Sequence, residues 1–231
     1  MIFQLLRGLL SGDVSDMDMS ALLVSFAAVA LVLILCLPAH EFAHAWAAKK
    51  LGDDTAFMHG RLTLNPSKHL DLFGTLMILV VGFGYAKPVP VNPRNFKDYK
   101  KGMALTAAAG PLSNLIMALF FCLITNFMWY FRPADGLDDI YRLLLGFFYM
   151  MFSVNVTLMV FNLIPFPPLD GSRILDLILP HKASVFLARY EHIMRWAVFA
   201  LLLFRGAIGW AADLAARGID ALVSLPFELL M

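Results

Sequence analysis

The chain has 231 residues, of which 60% are hydrophobic and 15% are charged, and its mean hydropathy is +0.74. These values lie outside the range of soluble globular domains and indicate an integral protein that crosses a membrane several times. A net charge of +1 argues against a nucleic-acid partner. The two cysteines, Cys36 and Cys122, lie inside apolar segments without CxxC spacing. They are expected to be buried and to form neither a disulfide nor a metal knuckle.

The first long apolar segment is residues 20–37, which follow an expected interfacial lead-in at residues 1–19. As a helix this segment spans about 27 Å, nearly the thickness of the hydrocarbon core. We expect the helix to continue to about Lys50 and to be terminated by Gly52, because glycine commonly ends helices.

Near the end of that helix, residues 40–44 read His-Glu-Phe-Ala-His, a complete HExxH motif. Residues four apart lie on one face of a helix, so His40 and His44 can hold one metal ion together. Glu41 then lies at the edge of the site, where it can accept a proton from a metal-bound water. Ionisable side chains at membrane depth are costly and are functional candidates by default. The alternative is a pair of hydrogen-bonded core histidines.

Residues 73–93 are predicted to be less regular. The apolar stretch at residues 73–85 is too short for an upright crossing, and residues 86–93 alternate proline with valine. Proline cannot donate to a sheet ladder, which favours an edge strand or an extended loop. A short helix with an extended return predicts a re-entrant element shielded by protein or by a wet cavity. A plain proline-rich surface loop is the alternative.

Two further membrane spans are predicted at residues 103–131 and 143–163. The second runs into a break with three prolines in four residues, followed by a short helix at residues 174–179. A last span begins at residue 193 and reaches about residue 212, and residues 211–231 are expected to lie along the interface. The predicted fold is an all-α polytopic bundle with an extended edge near residues 73–93. Its core is residues 20–210, between the N-terminal lead-in and the C-terminal tail.

Basic residues are unevenly divided between the two sides of the predicted bundle. The connections 49–72, 86–101 and 171–195 carry 13 of the 18 lysines and arginines, including every lysine. By the positive-inside rule these connections are cytoplasmic. The N-terminus is therefore expected outside, with the HExxH end of the first span open to the cytoplasm. The cell membrane is the expected location.

A catalytic metal site requires a third protein ligand. The predicted orientation places the proline-rich breaks at the depth of His40 and His44, and Asp170 directly follows the second break. Asp170 is therefore the predicted third ligand. Alternatively, Asp170 caps the helix that follows, since Asp before an apolar run is a favourable N-cap.

The HExxH motif and the sequence Asn-Leu-Ile-Pro-Phe-Pro-Pro-Leu-Asp-Gly at residues 162–171 together resemble the site-2 protease family of intramembrane zinc metalloproteases. The resemblance covers about residues 20–180 and includes residues 60–66, 87–93 and 110–114. It implies that Zn²⁺ is bound by the two histidines of the motif and by Asp170, and that Glu41 is the catalytic base.

The same resemblance implies that Asn162 helps to stabilise the oxyanion and that Asn114 lines the site. Otherwise Asn162 satisfies broken backbone at a helix end, and Asn114 packs helices together. The chain departs from the family pattern at Leu72, which follows Asp71 where relatives often have proline. This departure affects the expected shape of one turn. PDZ and CBS sequences are not found in the chain, so recognition or regulation of that kind is expected to be absent or supplied by a partner.

These features predict an intramembrane zinc metalloendopeptidase. Its expected partners are the lipid bilayer and a membrane-protein substrate with a transmembrane helix. Because a helical substrate must unwind before cleavage, an exposed backbone edge is predicted to bind it as an added strand. The residues of that edge are Pro88, Val89, Pro90, Val91 and Asn92.

Two other functions compete with proteolysis: metal-ion transport, and the binding of membrane proteins by a catalytically inactive homologue. Transport does not require a carboxylate beside the first histidine, so Glu41 disfavours it. The completeness of the motif residues disfavours an inactive homologue.

Overall fold

Helices make up the regular structure of this protein. The computed structural model describes residues 26–81, 85–132, 138–194, 198 and 205–229, and within these ranges it has no β-strand. An isolated antiparallel bridge joins Leu70 and Ala86. The helices are α1 (Phe26–Lys50), α2 (Thr55–Met58), α3 (Pro66–His69), α4 (Leu72–Val81), α5 (Tyr99–Tyr130), α6 (Asp139–Leu163), α7 (Asp170–Asp176), α8 (His181–Arg189) and α9 (Arg205–Glu228). The predicted all-α class is confirmed.

Three of these helices, α1, α5 and α6, are long and apolar enough to span a membrane. Large apolar side chains on α5 are exposed, including Ile116 at 60% and Phe120 at 57%. Lipid is the environment that suits an exposed apolar surface of this size. The chain is therefore a multi-pass membrane protein, as the composition predicts.

Helix α1 changes its winding just before the HExxH motif. Pro38 has no N–H group and cannot donate to the carbonyl of Ile34, which removes one helical hydrogen bond. The preceding residues Val32–Cys36 form a π-helical turn, in which the Leu37 N–H donates to the Val32 carbonyl. Such a turn holds an extra residue and is frequent beside functional sites.

The core lies where α1, α5 and α6 meet. Its buried residues are Ala28, Val32 and Cys36 from α1, Ala118, Phe121 and Cys122 from α5, and Met151, Phe152 and Val156 from α6. Small side chains among them let the helix backbones approach closely, which is how helices associate in lipid. Both cysteines are buried and unbonded, as predicted.

Residues 87–92, which precede a short 3-10 turn at Pro93–Asn95, are in neither a helix nor a strand, and Asn92 has an extended backbone. We call residues 86–92 the edge segment. Two hydrogen bonds hold its start. The Lys87 N–H donates to the His69 carbonyl at 2.7 Å, and the Arg61 guanidinium donates to the Lys87 carbonyl. These bonds join the edge segment to α3 and to the turn before it.

The part of the chain after α6 differs in detail from its prediction. Helix α7 begins at Asp170, four residues earlier than the predicted helix at residues 174–179. Its N-cap residue is Leu169, so the alternative in which Asp170 serves as the cap is wrong. Residues 195–197 and 199–204 of the predicted span at residues 193–212 lie outside the described residues, as does the lead-in at residues 1–19.

Helix α9 crosses the predicted boundary at residue 210 and packs against α5 and α6. Ala212 is buried in this packing, and Asp220 accepts a hydrogen bond from the Asn126 amide at 2.8 Å. A polar contact between two helices satisfies both groups where water is scarce. The described part of the C-terminal tail is therefore joined to the bundle by side-chain contacts.

Asp53 fastens the far end of the edge segment to the end of α1. Its side chain is fully buried. The carboxylate accepts hydrogen bonds from the Asn92 N–H at 2.7 Å, the Asn95 amide at 2.7 Å and the Thr55 hydroxyl at 2.5 Å. Burial by itself raises the pKa of Asp53, but these hydrogen bonds outweigh it and lower the pKa below its ordinary value of 3.8. The carboxylate therefore stabilises the fold above pH 3.8, and this contribution is lost as the pH falls through the lower folded-state pKa.

Asp53→Asn is expected to loosen the edge segment at neutral pH, because the amide replaces a hydrogen-bond acceptor with a donor. A hydrogen bond to a buried charged group is worth about 1.5–3 kcal/mol, so tryptic cleavage after exposed Arg94 should accelerate by about tenfold or more. The matched control is Asp54→Asn, since Asp54 is exposed and makes a 3.7 Å ion pair with Lys49. Equal cleavage rates for wild type and Asp53→Asn would contradict this account.

Candidate metal centre

Three side chains predicted as metal ligands meet in the structure. His40 and His44 lie one turn apart on α1, and Asp170 reaches them from the first residue of α7. The His40 Nε2 atom lies 3.0 Å from His44 Nε2, and Asp170 Oδ2 lies 3.3 Å from the first and 3.4 Å from the second. Both histidines are buried, and Asp170 is half-buried. Distant parts of the sequence thus form one cluster of nitrogen and oxygen donors.

The outer nitrogen of each imidazole faces a hydrogen-bond acceptor. His44 Nδ1 lies 2.8 Å from the Thr106 carbonyl, which can only accept, so this nitrogen carries the proton. His40 Nδ1 lies 2.5 Å from Asn114 Oδ1 and donates to it in the same way. In the neutral imidazole, the Nε2 atom of each ring then carries a lone pair that is directed at the cluster. These outer hydrogen bonds fix ring orientation, as is usual for metal-binding histidines.

The three atoms at the centre of this cluster are His40 Nε2, His44 Nε2 and Asp170 Oδ2, and with neutral imidazoles none of them can donate a hydrogen bond. Asp170 Oδ2 is buried and makes no hydrogen bond, and it faces the two inner nitrogens. When both imidazoles are neutral, three acceptors at 3.0–3.4 Å repel one another unless a proton or a metal cation lies among them. Zinc bonds of about 2.0–2.2 Å in a tetrahedron place ligand atoms about 3.3 Å apart. The donor set and its spacing fit zinc, and the described residues supply three of its four ligands.

Glycine at two positions makes the close approach possible. A side chain at Gly110 on α5 would collide with the imidazoles of His44 and His40. A side chain at Gly171 would collide with the carbonyls of Leu163 and Ile164 at the end of α6. The first glycine lets α5 cover the histidines, and the second brings the start of α7 against α6. Both contacts position the three ligands.

The predicted base lies beside the cluster. Glu41 is 9% exposed, and its Oε2 accepts a hydrogen bond from the Val89 N–H at 3.1 Å. Val89 is in the middle of the edge segment, so this bond brings the segment to the carboxylate. The Pro-Val sequence predicted as a substrate edge therefore runs beside the candidate site.

Two asparagines were assigned to the site by resemblance. Asn162, near the end of α6, is half-buried, and its amide donates to the Leu158 carbonyl at 2.9 Å. Asn114 lies fully buried, and its amide oxygen accepts from His40. Both ends of the amide are bonded to side chains of other helices, which favours the alternative in which Asn114 packs helices together.

Several groups of the site had no clear signal in the sequence. The Thr106 carbonyl is a backbone group, and Asp53 lies in an ordinary-looking loop 13 residues after the first histidine. Gly110 carried a signal, since a Gly-Pro pair inside an apolar helix indicates a close backbone approach. The partner of that approach is visible only in three dimensions.

Comparison with known proteins agrees with this site. The model of peptidase family M50 matches residues 138–205, a stretch that includes Asp170. YwhC of Bacillus subtilis, which carries the name putative zinc metalloprotease, is 47% identical over 153 residues, covering 65% of this chain and 68% of YwhC. Similarity to solved structures was not found.

More distant relatives carry the same description. Rip2 of Mycolicibacterium smegmatis, named putative zinc metalloprotease, is 32% identical over 155 residues, which cover 65% of this chain and 54% of Rip2. MJ0611 of Methanocaldococcus jannaschii, of the same name, is 31% identical over 138 residues, covering 59% of this chain and 62% of that protein. The chain therefore belongs to peptidase family M50, the site-2 protease family of zinc metalloproteases.

Proposed function

We propose that this protein is an intramembrane zinc endopeptidase that cleaves peptide bonds in or near the transmembrane segments of membrane proteins. His40, His44 and Asp170 hold the zinc, and Glu41 is the general base. The observation that carries the proposal is the convergence of three buried acceptors at 3.0–3.4 Å with a buried carboxylate beside them. The protease core is assigned to residues 20–210.

Zinc bound at this site would lower the pKa of a water molecule to ~7 and polarise the substrate carbonyl. Glu41 accepts the proton of that water and delivers it to the departing amine. The Val89 N–H holds one carboxylate oxygen of Glu41, so the other oxygen is available for proton transfer. Burial of the carboxylate keeps competing water away from it.

Asn162 is proposed to stabilise the oxyanion. One N–H of its amide donates to the Leu158 carbonyl, which fixes the plane of the amide group. The second N–H is then held in a defined direction and can donate to the substrate oxygen as negative charge develops there. A donor that is already oriented needs no reorganisation during the reaction.

The edge segment is proposed to bind the unwound substrate as an added strand. It is held at both ends, by His69 and Arg61 near Lys87 and by Asp53 at Asn92. A rigid edge pairs through backbone hydrogen bonds and places few demands on the substrate sequence. Contact between Val89 and Glu41 would bring the paired substrate beside the base.

The site is proposed to open toward the cytoplasm from the cell membrane, with the N-terminus outside. The basic connections identified from the sequence adjoin the metal-site ends of α1 and α5, where Lys49, Lys50, Lys100 and Lys101 lie. This distribution follows the positive-inside rule.

Asp170→Ala is expected to lose most of the bound zinc, because two histidines alone do not complete a catalytic site. Metal analysis of the purified protein measures this directly. Asp176→Ala, in the same short helix, is the matched control and should keep the wild-type zinc content. Full zinc occupancy in Asp170→Ala would move the third ligand to another residue.

Glu41→Gln keeps the size of the side chain and removes the base. This variant should retain zinc, while the cleavage rate of a model transmembrane substrate falls by at least ~10²–10⁴-fold, the usual effect of losing a general base. A normal cleavage rate in Glu41→Gln would refute the assigned mechanism.

Val91→Pro tests the edge, since it deletes a backbone donor on the proposed pairing side. We expect KM for the model substrate to rise while zinc content and kcat change little. Val91→Ala, which keeps the N–H group, should behave like the wild type. If both variants raise KM equally, the side chain and not the backbone edge binds the substrate.

Single cysteines at Lys97 and Asp138 test the orientation. Both positions are exposed, and the two natural cysteines are buried. A membrane-impermeant maleimide should label position 97 only from the cytoplasmic face and position 138 only from outside. The reverse pattern would invert the proposed topology.

A further inference from the structure

A fully buried chain of polar side chains runs behind the metal site and crosses three spanning helices. On α6, the Asn155 amide donates to the Met151 carbonyl at 2.8 Å and lies 3.4 Å from Cys36 Sγ on α1. Asn155 Oδ1 accepts from the Asn114 amide of α5 at 3.3 Å. Asn114 Oδ1 in turn lies 2.5 Å from His40 Nδ1. Both asparagines are 0% exposed.

The Met151 carbonyl fixes the direction of every hydrogen bond in this chain of side chains. The Met151 carbonyl can only accept, so Asn155 must present its NH₂ group there and its oxygen to the next helix. Asn114 must then present its NH₂ to Asn155 and its oxygen to His40. His40 is thereby required to carry its proton on Nδ1.

The consequence for the metal site is a fixed tautomer. With the proton on Nδ1, the lone pair of His40 lies on Nε2, the atom that faces His44 and Asp170. If the Asn114 amide were turned over, its NH₂ would face His40 Nδ1 and favour the tautomer whose Nε2 is protonated. Such a ring cannot bind a metal through Nε2.

We propose that Asn155 is a positioning residue for the metal site: it holds the Asn114 amide in the one orientation that directs the His40 Nε2 lone pair at the metal. This inference rests on the proposed function. Asn155 touches neither metal nor substrate, and it acts through Asn114. The Cys36 contact adds a second restraint on its NH₂ group from the helix that carries the HExxH motif.

We call the hydrogen-bonded chain of Asn155, Asn114 and His40 the asparagine relay. Its burial explains why the orientation of each amide matters. An unpaired polar group in a lipid-embedded core is costly, because water is not available to replace a lost partner. Asn114 can turn over at little cost only if Asn155 no longer offers it an acceptor. The structure therefore predicts strong coupling between positions 114 and 155.

The test measures the Zn²⁺ dissociation constant of the purified full chain by competition with a chromogenic chelator. Asn155→Leu removes the acceptor that faces Asn114. It is also made in the Asn114→Asp background, because a carboxylate accepts from His40 whichever way it is turned. Thr157→Val is the matched control, since it deletes a 2.8 Å side-chain bond to the Ser153 carbonyl on the same helix.

Loss of an outer partner of a metal ligand typically costs about 10–100-fold in metal affinity. We expect Asn155→Leu to show such a loss, Thr157→Val to stay close to wild type, and the Asn114→Asp background to suppress most of the Asn155→Leu effect. Thermal unfolding of the metal-free variants checks that each is folded. If Asn155→Leu does not fold, Asn155→Ala removes the same acceptor without adding volume and enters the same comparison.

An unchanged affinity in Asn155→Leu would overturn the proposal. So would an equal loss in both backgrounds, which would mean that Asn155 only supports packing. The zinc content of the wild-type protein tests the proposed function, whereas the ratio between backgrounds tests the relay, so the two claims fail separately.

Discussion

The structure depends on bringing three hydrogen-bond acceptors together without a donor among them. His40 Nε2, His44 Nε2 and Asp170 Oδ2 lie 3.0–3.4 Å apart in a buried position beside the spanning helices. Their mutual repulsion in a poorly solvated site is large, and a divalent cation converts it into attraction. Other features of the fold serve this arrangement. Gly110 lets α5 close over the histidines, and the proline-rich break after α6 turns the chain so that α7 delivers the aspartate.

Around the three proposed metal ligands, the protein arranges polar groups in two directions. Toward the core, carbonyl and amide oxygens hold the outer nitrogens of the histidines, and the asparagine relay extends this support to α6. Toward the proposed substrate, Glu41 is bonded to Val89 of the edge segment, whose far end is fastened by Asp53. Glu41, the proposed base, is thus bonded to the proposed binding edge, whereas His40, a proposed ligand, is bonded to the helix core. Chemistry and substrate capture are supported by different contacts.

The sequence was sufficient for features that depend on local pattern. HExxH spacing places two histidines on one helix face, apolar length identifies the spans, and the Pro-Val repeat predicts an extended return. It was insufficient where a partner comes from far along the chain. Asn155 is one of several polar residues in a mainly apolar helix, and its role depends on Asn114, 41 positions away. The sequence left open whether Asn114 lines the site or packs helices together, because its partners could not be known. The start of α7 was misplaced because the close contact of Gly171 with the end of α6 is a tertiary constraint.

Zinc K-edge X-ray absorption on the purified protein tests the central claim most directly. The account predicts four nitrogen or oxygen neighbours at about 2.0–2.2 Å, with the scattering signature of two imidazoles. These correspond to His40, His44, Asp170 and a solvent oxygen in the open position. A sulfur neighbour at about 2.3 Å, or a shell without imidazole scattering, would place the metal elsewhere and contradict the account.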